Sequence, residues 1–473
     1  MVDAPPPAGW AELIAGRLAP RTALVLLGIW LNAADGLVTS TIMPSVARDL
    51  GGYAWFGWAV AIYLLGSILA AASAGQLAAR LGLTRAIVLA ALAYAAGCAL
   101  SAGAGGIAAF MVGRLAQGMG GGWVVGFCYV AIERMFDERL WARMFGAGAG
   151  VWGIASFLGP LVGGAFAEAH FWRGAFWMFA VQGLLLAVAA PLLLGSSAGP
   201  GEEARRPLAW RTLAILSAAI LAIALADITS GAVQAILLLA LGLALLVVAG
   251  VVNARPGERL LPPQAMRPAT LVGAGYAMIF AMSAASVVFG VYGAAILQVL
   301  YGVSPLVAGY VVASDAVGWT LTALMVSGQP ERRHPAFIVA GAGIIAVGMV
   351  LLALTIGSRS LIAVTASGVV LGGGFGLAWS LVTRRVLMAL PAADRAIGAA
   401  ATPTTQMIGS AAGAAGAGAV ANLLGLAHAF TPAMAATASP WLFASFTPLA
   451  GLGLIAAVQL VRARTEVVTS VAG

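Results

Sequence analysis

The chain has 473 residues, of which 62% are hydrophobic and only 8% charged, against roughly 25% charged in ordinary soluble domains. A water-soluble protein this poor in charge would expose more apolar surface than it could cover, so a soluble enzyme, a disordered chain and a secreted disulfide scaffold are excluded. The formal net charge is +8 and all 24 basic residues are arginines; they stand singly or in pairs between apolar runs, leaving no basic face for a nucleic-acid backbone.

Residues 1–20 carry Pro5, Pro6 and Pro7, then Trp10, Leu13, Ile14 and Leu18 at helical spacing. That spacing predicts a cytoplasmic amphipathic segment lying on the membrane surface. The apolar run that follows is long, contains Asp35 and lacks a cleavage site, so it does not read as a signal peptide. A bilayer core needs about 20 residues per helical crossing. Apolar runs punctuated by Arg, Pro and Gly predict spans near 21–46, 54–78, 85–104, 107–131, 144–168 and 174–194. After a polar stretch with Glu202, Glu203, Arg205 and Arg206 come two more, near 211–227 and 232–252. A break from Asn253 to Pro268 precedes spans near 269–297, 305–327, 335–356, 360–383, 397–424 and 440–461.

The expected class is an all-α polytopic membrane protein with fourteen transmembrane helices. Its expected parts are a surface N-terminus (1–20), a six-helix bundle (21–194), a linker with two inserted helices (195–268), a second six-helix bundle (269–462) and a cytoplasmic tail (463–473). A twelve-span reading would make the short middle pair one re-entrant or surface unit. Arginine placement favours fourteen. With the N-terminus cytoplasmic, 20 of the 24 arginines fall on the cytoplasmic side; Arg48, Arg173 and Arg359 fall outside and Arg114 lies within the bilayer. Such asymmetry is the positive-inside signature, and losing one span would reverse every later loop.

The chain also repeats itself. Span four carries Gly118 and Gly120-Gly121-Gly122-Trp123, and span twelve carries Gly372-Gly373-Gly374, Gly376 and Trp379. Span five is dense in glycine from Gly146 to Gly164, and span thirteen has Gly409, Gly413, Gly416 and Gly418. Two bundles with one ancestry are a transporter architecture, and small residues at this spacing let helices approach closely.

An ionisable group in hydrocarbon is costly and marks function by default. Asp35, Arg114 and Asp315 are such groups. At 1.5 Å per residue, Asp35 lies about 21 Å from the cytoplasmic end of span one and Arg114 about 20 Å from the same face, so the two share a level. Asp315 falls about 14 Å below the outer end of its span, near the midplane. A carboxylate between desolvation and a neighbouring guanidinium is suited to proton exchange; a static ion pair orienting two helices is the plain alternative. Asn32, Thr39, Tyr63, Gln117, Trp152, Gln182, Tyr292, Gln298, Trp319, Trp379 and Gln406 are candidates for lining a large amphipathic pocket, since aromatic faces hold cations beside a carboxylate. Glu133 beside Arg134 is either a gate contact or a plain interface charge. Cys98 and Cys128 sit inside apolar runs and read as buried thiols. His170, His334 and His428 show no ligand spacing, so neither metal nor cofactor is expected. No nucleophile–base pair points to an enzyme.

Asp35-Gly36-Leu37-Val38-Thr39-Ser40-Thr41-Ile42-Met43-Pro44 and Gly113-Arg114-Leu115-Ala116-Gln117-Gly118-Met119-Gly120-Gly121-Gly122 resemble the first- and fourth-helix motifs of the major facilitator superfamily, within it the fourteen-span drug:proton antiporters. Gly150 to Gly164, ending Gly159-Pro160-Leu161-Val162-Gly163-Gly164, is similar to the antiporter motif of the fifth helix, where close glycines pack and Pro160 bends the helix. Gln298-Val299-Leu300-Tyr301-Gly302-Val303-Ser304-Pro305 resembles the connection between helices nine and ten. The resemblance covers nearly the whole chain and implies proton coupling at Asp35 and Arg114, with protons as the coupling ion. It implies partners limited to membrane lipid and a small amphipathic solute, a monomer, and a bacterial-type inner membrane with both termini cytoplasmic.

Gly75-Gln76-Leu77-Ala78-Ala79-Arg80-Leu81-Gly82-Leu83-Thr84-Arg85 matches the loop motif that forms the family's cytoplasmic gate, except that Ala79 stands where the family has Asp. Thr402, Pro403, Thr404, Thr405 and Gln406 stand where some multidrug members carry acids. The expected function is proton-driven export of amphipathic, cationic compounds. Export of an endogenous lipid, siderophore or metabolite is one alternative, and a non-transporting membrane sensor or assembly factor is another.

Overall fold

An apolar helix satisfies its own backbone hydrogen bonds, which is what a bilayer interior demands of any segment crossing it. The computed structural model describes residues 10–51, 55–194, 209–227, 229, 232–255, 257–259, 261–326, 329–391, 395–426 and 430–463. Regular structure among them is helical throughout. In chain order the helices are α1 (Trp10–Leu13), α2 (Leu18–Leu50), α3 (Phe56–Leu81), α4 (Leu83–Ala102), α5 (Ile107–Met135), α6 (Glu138–Glu168), α7 (Trp172–Leu194), α8 (Trp210–Asp227) and α9 (Ala232–Asn253). There follow α10 (Leu271–Tyr301), α11 (Pro305–Val312), α12 (Ser314–Val326), α13 (His334–Thr355), α14 (Leu361–Met388), α15 (Arg395–Leu423), α16 (Pro432–Ala444) and α17 (Thr447–Arg462).

Counting α11–α12 and α16–α17 each as one, eleven segments among the described residues are long and apolar enough to cross a membrane. Shorter apolar stretches, Trp58–Ala71 and Trp210–Ile223, lie in α3 and α8. The protein is a multi-pass membrane protein.

Three local features depart from the sequence reading. The expected amphipathic helix is a single turn, α1, because Gly16 takes a left-handed φ of 51° and diverts the chain before Leu18 opens α2. The span near 305–327 is divided at Ala313, where Ser314 turns its hydroxyl to the Thr365 carbonyl of α14 at 3.2 Å. The final span begins at Pro432, earlier than expected, and is interrupted at Ser445–Phe446 before Pro448 helps restart it as α17.

Helix ends follow ordinary capping chemistry. Ser304 accepts from the Val307 N–H at 3.4 Å with Pro305 opening α11, and Thr431 does the same for α16. Gly82, at φ 78° and ψ 147°, makes the sharp turn between α3 and α4 that a side-chain-bearing residue would resist.

The chain forms two compact units. One comprises Met1–Leu208 with Val291–Ala313 and Leu426–Phe430; the other comprises Ala209–Gly290, Ser314–Gly425 and Thr431–Gly473. In the first, α5 packs between α3 and α4, α4 against α7, and α2 against α6. In the second, α14 packs against α12 and α13, while α8 pairs with α9 and leans on α15.

Candidate functional site: a buried carboxylate network

The first unit gathers its charge at one point. Gly118 of α5 has no room for a Cβ against the Tyr63 backbone of α3, and Gly97 of α4 has none against the backbone at Gln117. These two glycines let α5 lie pressed between its neighbours, which fixes where Arg114 and Gln117, on one face of α5, must point.

They point at Asp35 of α2. Asp35, Arg114 and Gln117 are all buried, at 0%, 2% and 0% exposure. The Arg114 Nη1 donates to Gln117 Oε1 at 2.8 Å and, less closely, to Asp35 Oδ1 at 3.4 Å. Gln117 Nε2 donates to Asp35 Oδ2 at 2.9 Å, and the Thr39 hydroxyl, one turn along α2, donates to Oδ1 at 3.0 Å. The Arg114 Nε donates to the Ala59 carbonyl at 3.3 Å, and its guanidinium lies 4.3 Å above the centre of the Tyr63 ring. Tyr63 in turn donates its hydroxyl proton to Asn32 Oδ1 at 3.1 Å. A buried charge pair persists in low dielectric only when its remaining hydrogen-bonding capacity is met, and here each end has additional partners.

The structure thus brings Asp35, Arg114, Gln117, Tyr63 and Asn32 together. Thr39 and the Ala59 carbonyl complete the network; a backbone carbonyl leaves no mark in a sequence. Beside it, Trp30 donates its indole N–H to Gln182 at 3.1 Å, tying α2 to α7. Tyr292 is buried on α10, and Gln298 is half-buried there with its Nε2 unpaired among the described residues. Trp152 stands 46% exposed on α6.

The glycine-rich end of α6 makes a second seam in this unit. Gly159 and Gly163 abut Leu37, Val38 and Thr41 of α2; Gly164 abuts Leu306 of α11; and Gly309 of α11 abuts Pro160. Gly150 touches nothing within 4 Å of where its Cβ would be. At the opposite end of the helices, Arg80 and Arg85 are exposed around buried Gly82. The Glu133 side chain and the surroundings of Gly75 lie outside the described residues.

The second unit is different in kind. Trp319 of α12 stacks on Phe375 of α14 with centroids 5.2 Å apart and planes 5° from parallel, and Trp379 leans on both at 5.8 and 6.5 Å. Phe375 and Trp379 help line a small apolar pocket with Met278, Met282, Ile345 and Val382. Asp315 precedes Trp319 by one turn, half-buried and with no cation at ion-pair distance among the described residues. Gln406 is half-buried on α15. Phe375 escaped the sequence reading, although its four-residue spacing from Trp379 put both on one face of a helix.

The profile of the Major Facilitator Superfamily matches residues 25–414. The chain belongs to that superfamily. It is 30% identical over 463 residues to a protein described as a probable multidrug-efflux transporter of Mycobacterium tuberculosis, covering 95% of this chain and 96% of that one. A multidrug transporter protein of Bacillus subtilis is 28% identical over 176 residues, 37% of this chain and 32% of the relative. Among solved structures, a D-xylose–proton symporter superposes with a TM-score of 0.66 at 17% identity, covering 94% of this chain and 97% of the other. A bacterial homologue of the human lysosomal transporter Spinster gives 0.64 at 15% identity, covering 93% and 95%. The superfamily fold is therefore shared by proteins of quite different sequence.

Proposed function

We propose that the protein is a proton-coupled exporter of amphipathic, cationic compounds, an antiporter working by alternating access. The observation that carries this reading is the buried network of Asp35, Arg114, Gln117 and Thr39, a charged site deep in an apolar protein. Asp35 is the proton carrier, Arg114 its resident counter-charge, and Asp315 the carboxylate that attracts a positive charge on the solute. The aromatic group of Trp319, Phe375 and Trp379 supplies flat apolar surface for the solute's body. The full-length likeness to a probable multidrug-efflux transporter supports the class of cargo.

In this reading α3, α8 and α15 also cross the bilayer, giving fourteen spans in a six, two and six arrangement with both termini in the cytoplasm of a bacterial-type cell. One exception to the expected arginine asymmetry has a local explanation: Arg173 pairs with Asp49, whose carboxylate also accepts from the Trp172 indole at 3.2 Å. The seam of Gly159, Pro160, Gly163 and Gly164 against α2 and α11 is read as a tight closure on the outer side that limits leak.

The test is reconstitution into liposomes holding a pH-sensitive dye. Adding a lipophilic cation such as tetraphenylphosphonium should move protons in the opposite direction, and D35N protein should move none. Cation transport with no accompanying proton movement would refute the coupling, and no transport of any solute would refute the exporter.

A further inference from the structure

We propose that Gln117 is a positioning residue whose side-chain amide rotates when Asp35 takes a proton, and that this rotation dislodges Arg114 from the carboxylate. The proposal rests on the reading of Asp35 as the proton carrier.

The orientation of the amide is dictated by its neighbours. A guanidinium can only donate and a carboxylate can only accept, so Oε1 must face Arg114 and Nε2 must face Asp35, as the 2.8 and 2.9 Å contacts have it. The amide, not the carboxylate, is the nearer partner of Arg114 Nη1, since the direct contact to Asp35 is 3.4 Å. Gln117 is therefore the bridge through which the pair is held.

Protonation breaks this arrangement by simple donor and acceptor accounting. Oδ1 faces a cation and the Thr39 hydroxyl, Oδ2 faces the amide, and the Tyr63 hydroxyl also lies against the carboxylate. A proton is least opposed at Oδ2, away from the guanidinium, and on the lone pair that Gln117 uses its O–H meets the amide N–H head on. Turning the amide over offers Oε1 to the new O–H and relieves that clash. The same turn sets Nε2 against Arg114, two donors face to face, and the guanidinium withdraws. Its other contacts, the Ala59 carbonyl and the Tyr63 ring, are already in place to hold it. Losing the proton reverses each step.

The titratable and charged groups around the amide are Asp35 on α2, Tyr63 on α3, Tyr94 and Cys98 on α4, and Arg114 on α5. Of these, the Tyr94 hydroxyl is buried beside the Gln117 amide and the Cys98 thiol.

Infrared difference spectra between acid and neutral protein in lipid test the proposal, with glutamine carrying a ¹³C side-chain carbonyl to assign its bands. The wild type should show a carboxyl band that is absent in D35N. It should also show a glutamine carbonyl band that is absent in both D35N and Gln117→Met. The Gln117→Met protein should lose about tenfold in pH-gradient-driven flux, the worth of one charge-assisted hydrogen bond. Gln117→Asn, which keeps an amide too short to bridge, serves if the methionine variant folds poorly and should behave alike. An Asp35 carboxyl band with no glutamine band overturns the rotation and leaves proton binding intact. The absence of any Asp35 carboxyl band overturns the coupling reading itself.

Discussion

In the first unit Gly118 and Gly122 of α5 lie against the backbone at Tyr63 and Ser67 of α3; in the second, Gly372 and Gly376 of α14 lie against that at Asp315 and Trp319 of α12. The four-residue step is the same on every helix. One turn before the first glycine stands Arg114 in α5 but Gly368 in α14, where Phe289 and the Ser314 hydroxyl come close. Gln117 in α5 answers to Leu371 in α14. Asp315 thus occupies the position that Tyr63 holds in the first unit, but without, among the described residues, the cation and the amide that surround Asp35. One backbone frame carries a fully partnered charge site in one unit and, in the other, a carboxylate with no cation at ion-pair distance among the described residues. Close helix packing is evidently separable from the chemistry mounted on it, because the packing depends on glycines and backbone while the chemistry depends on residues one turn away.

The sharpest way to break this comparison is to remove the cation from the first unit. Arg114→Leu should cost about 3–5 kcal/mol of stability, the usual penalty for stranding a buried charge. The D35N/R114L double variant should recover most of it. Thermal unfolding in detergent would read this out, and a single variant no less stable than the double would mean the pair is not held as described.

The shared frame is tested next. A Cβ at position 118 or 372 would run into backbone of α3 or α12, so Gly118→Ala and Gly372→Ala should each cost about 1–3 kcal/mol, the range for overpacking. A silent Gly372→Ala beside a damaging Gly118→Ala would show that the two frames are not equivalent.

The aromatic group of the second unit offers a smaller effect. Trp319→Ala removes the stacked partner of Phe375 and should weaken binding of planar aromatic solutes by about 0.5–1.5 kcal/mol, the worth of such a ring pair. Titration with a planar dye and with an aliphatic ammonium would separate stacking from charge. Equal losses for both would remove the aromatic face from the binding account. Smallest of all, Glu331→Gln should change stability by less than about 1 kcal/mol, since its pairing with Arg384 is exposed on both sides.

The charged site was legible in the sequence for a plain reason. An Asp and an Arg inside long apolar runs stand out, and helical rise alone puts Asp35 and Arg114 at one level. Tyr63 and Asn32 were named as pocket-lining groups, but that the ring would cover the guanidinium depends on how closely Gly118 admits α3, which is a packing fact. Phe375, Met278 and Met282 were invisible because apolar residues in an apolar helix give no contrast. The division at Ala313 was equally hidden: neither a proline nor a glycine stands at that point, and the hydroxyl of the next residue reaches a carbonyl 51 residues away. What stands out against hydrocarbon can be read in advance; what distinguishes one apolar residue from another has to wait for coordinates.

The most direct test compares uphill efflux with exchange in proteoliposomes containing wild-type, Asp35→Asn or Asp315→Asn protein. With Asp35→Asn, efflux driven by a pH gradient should vanish while solute-for-solute exchange continues. Asp315→Asn should keep proton coupling and lose affinity for cations. Uphill, pH-driven efflux surviving in the Asp35→Asn protein would contradict the account.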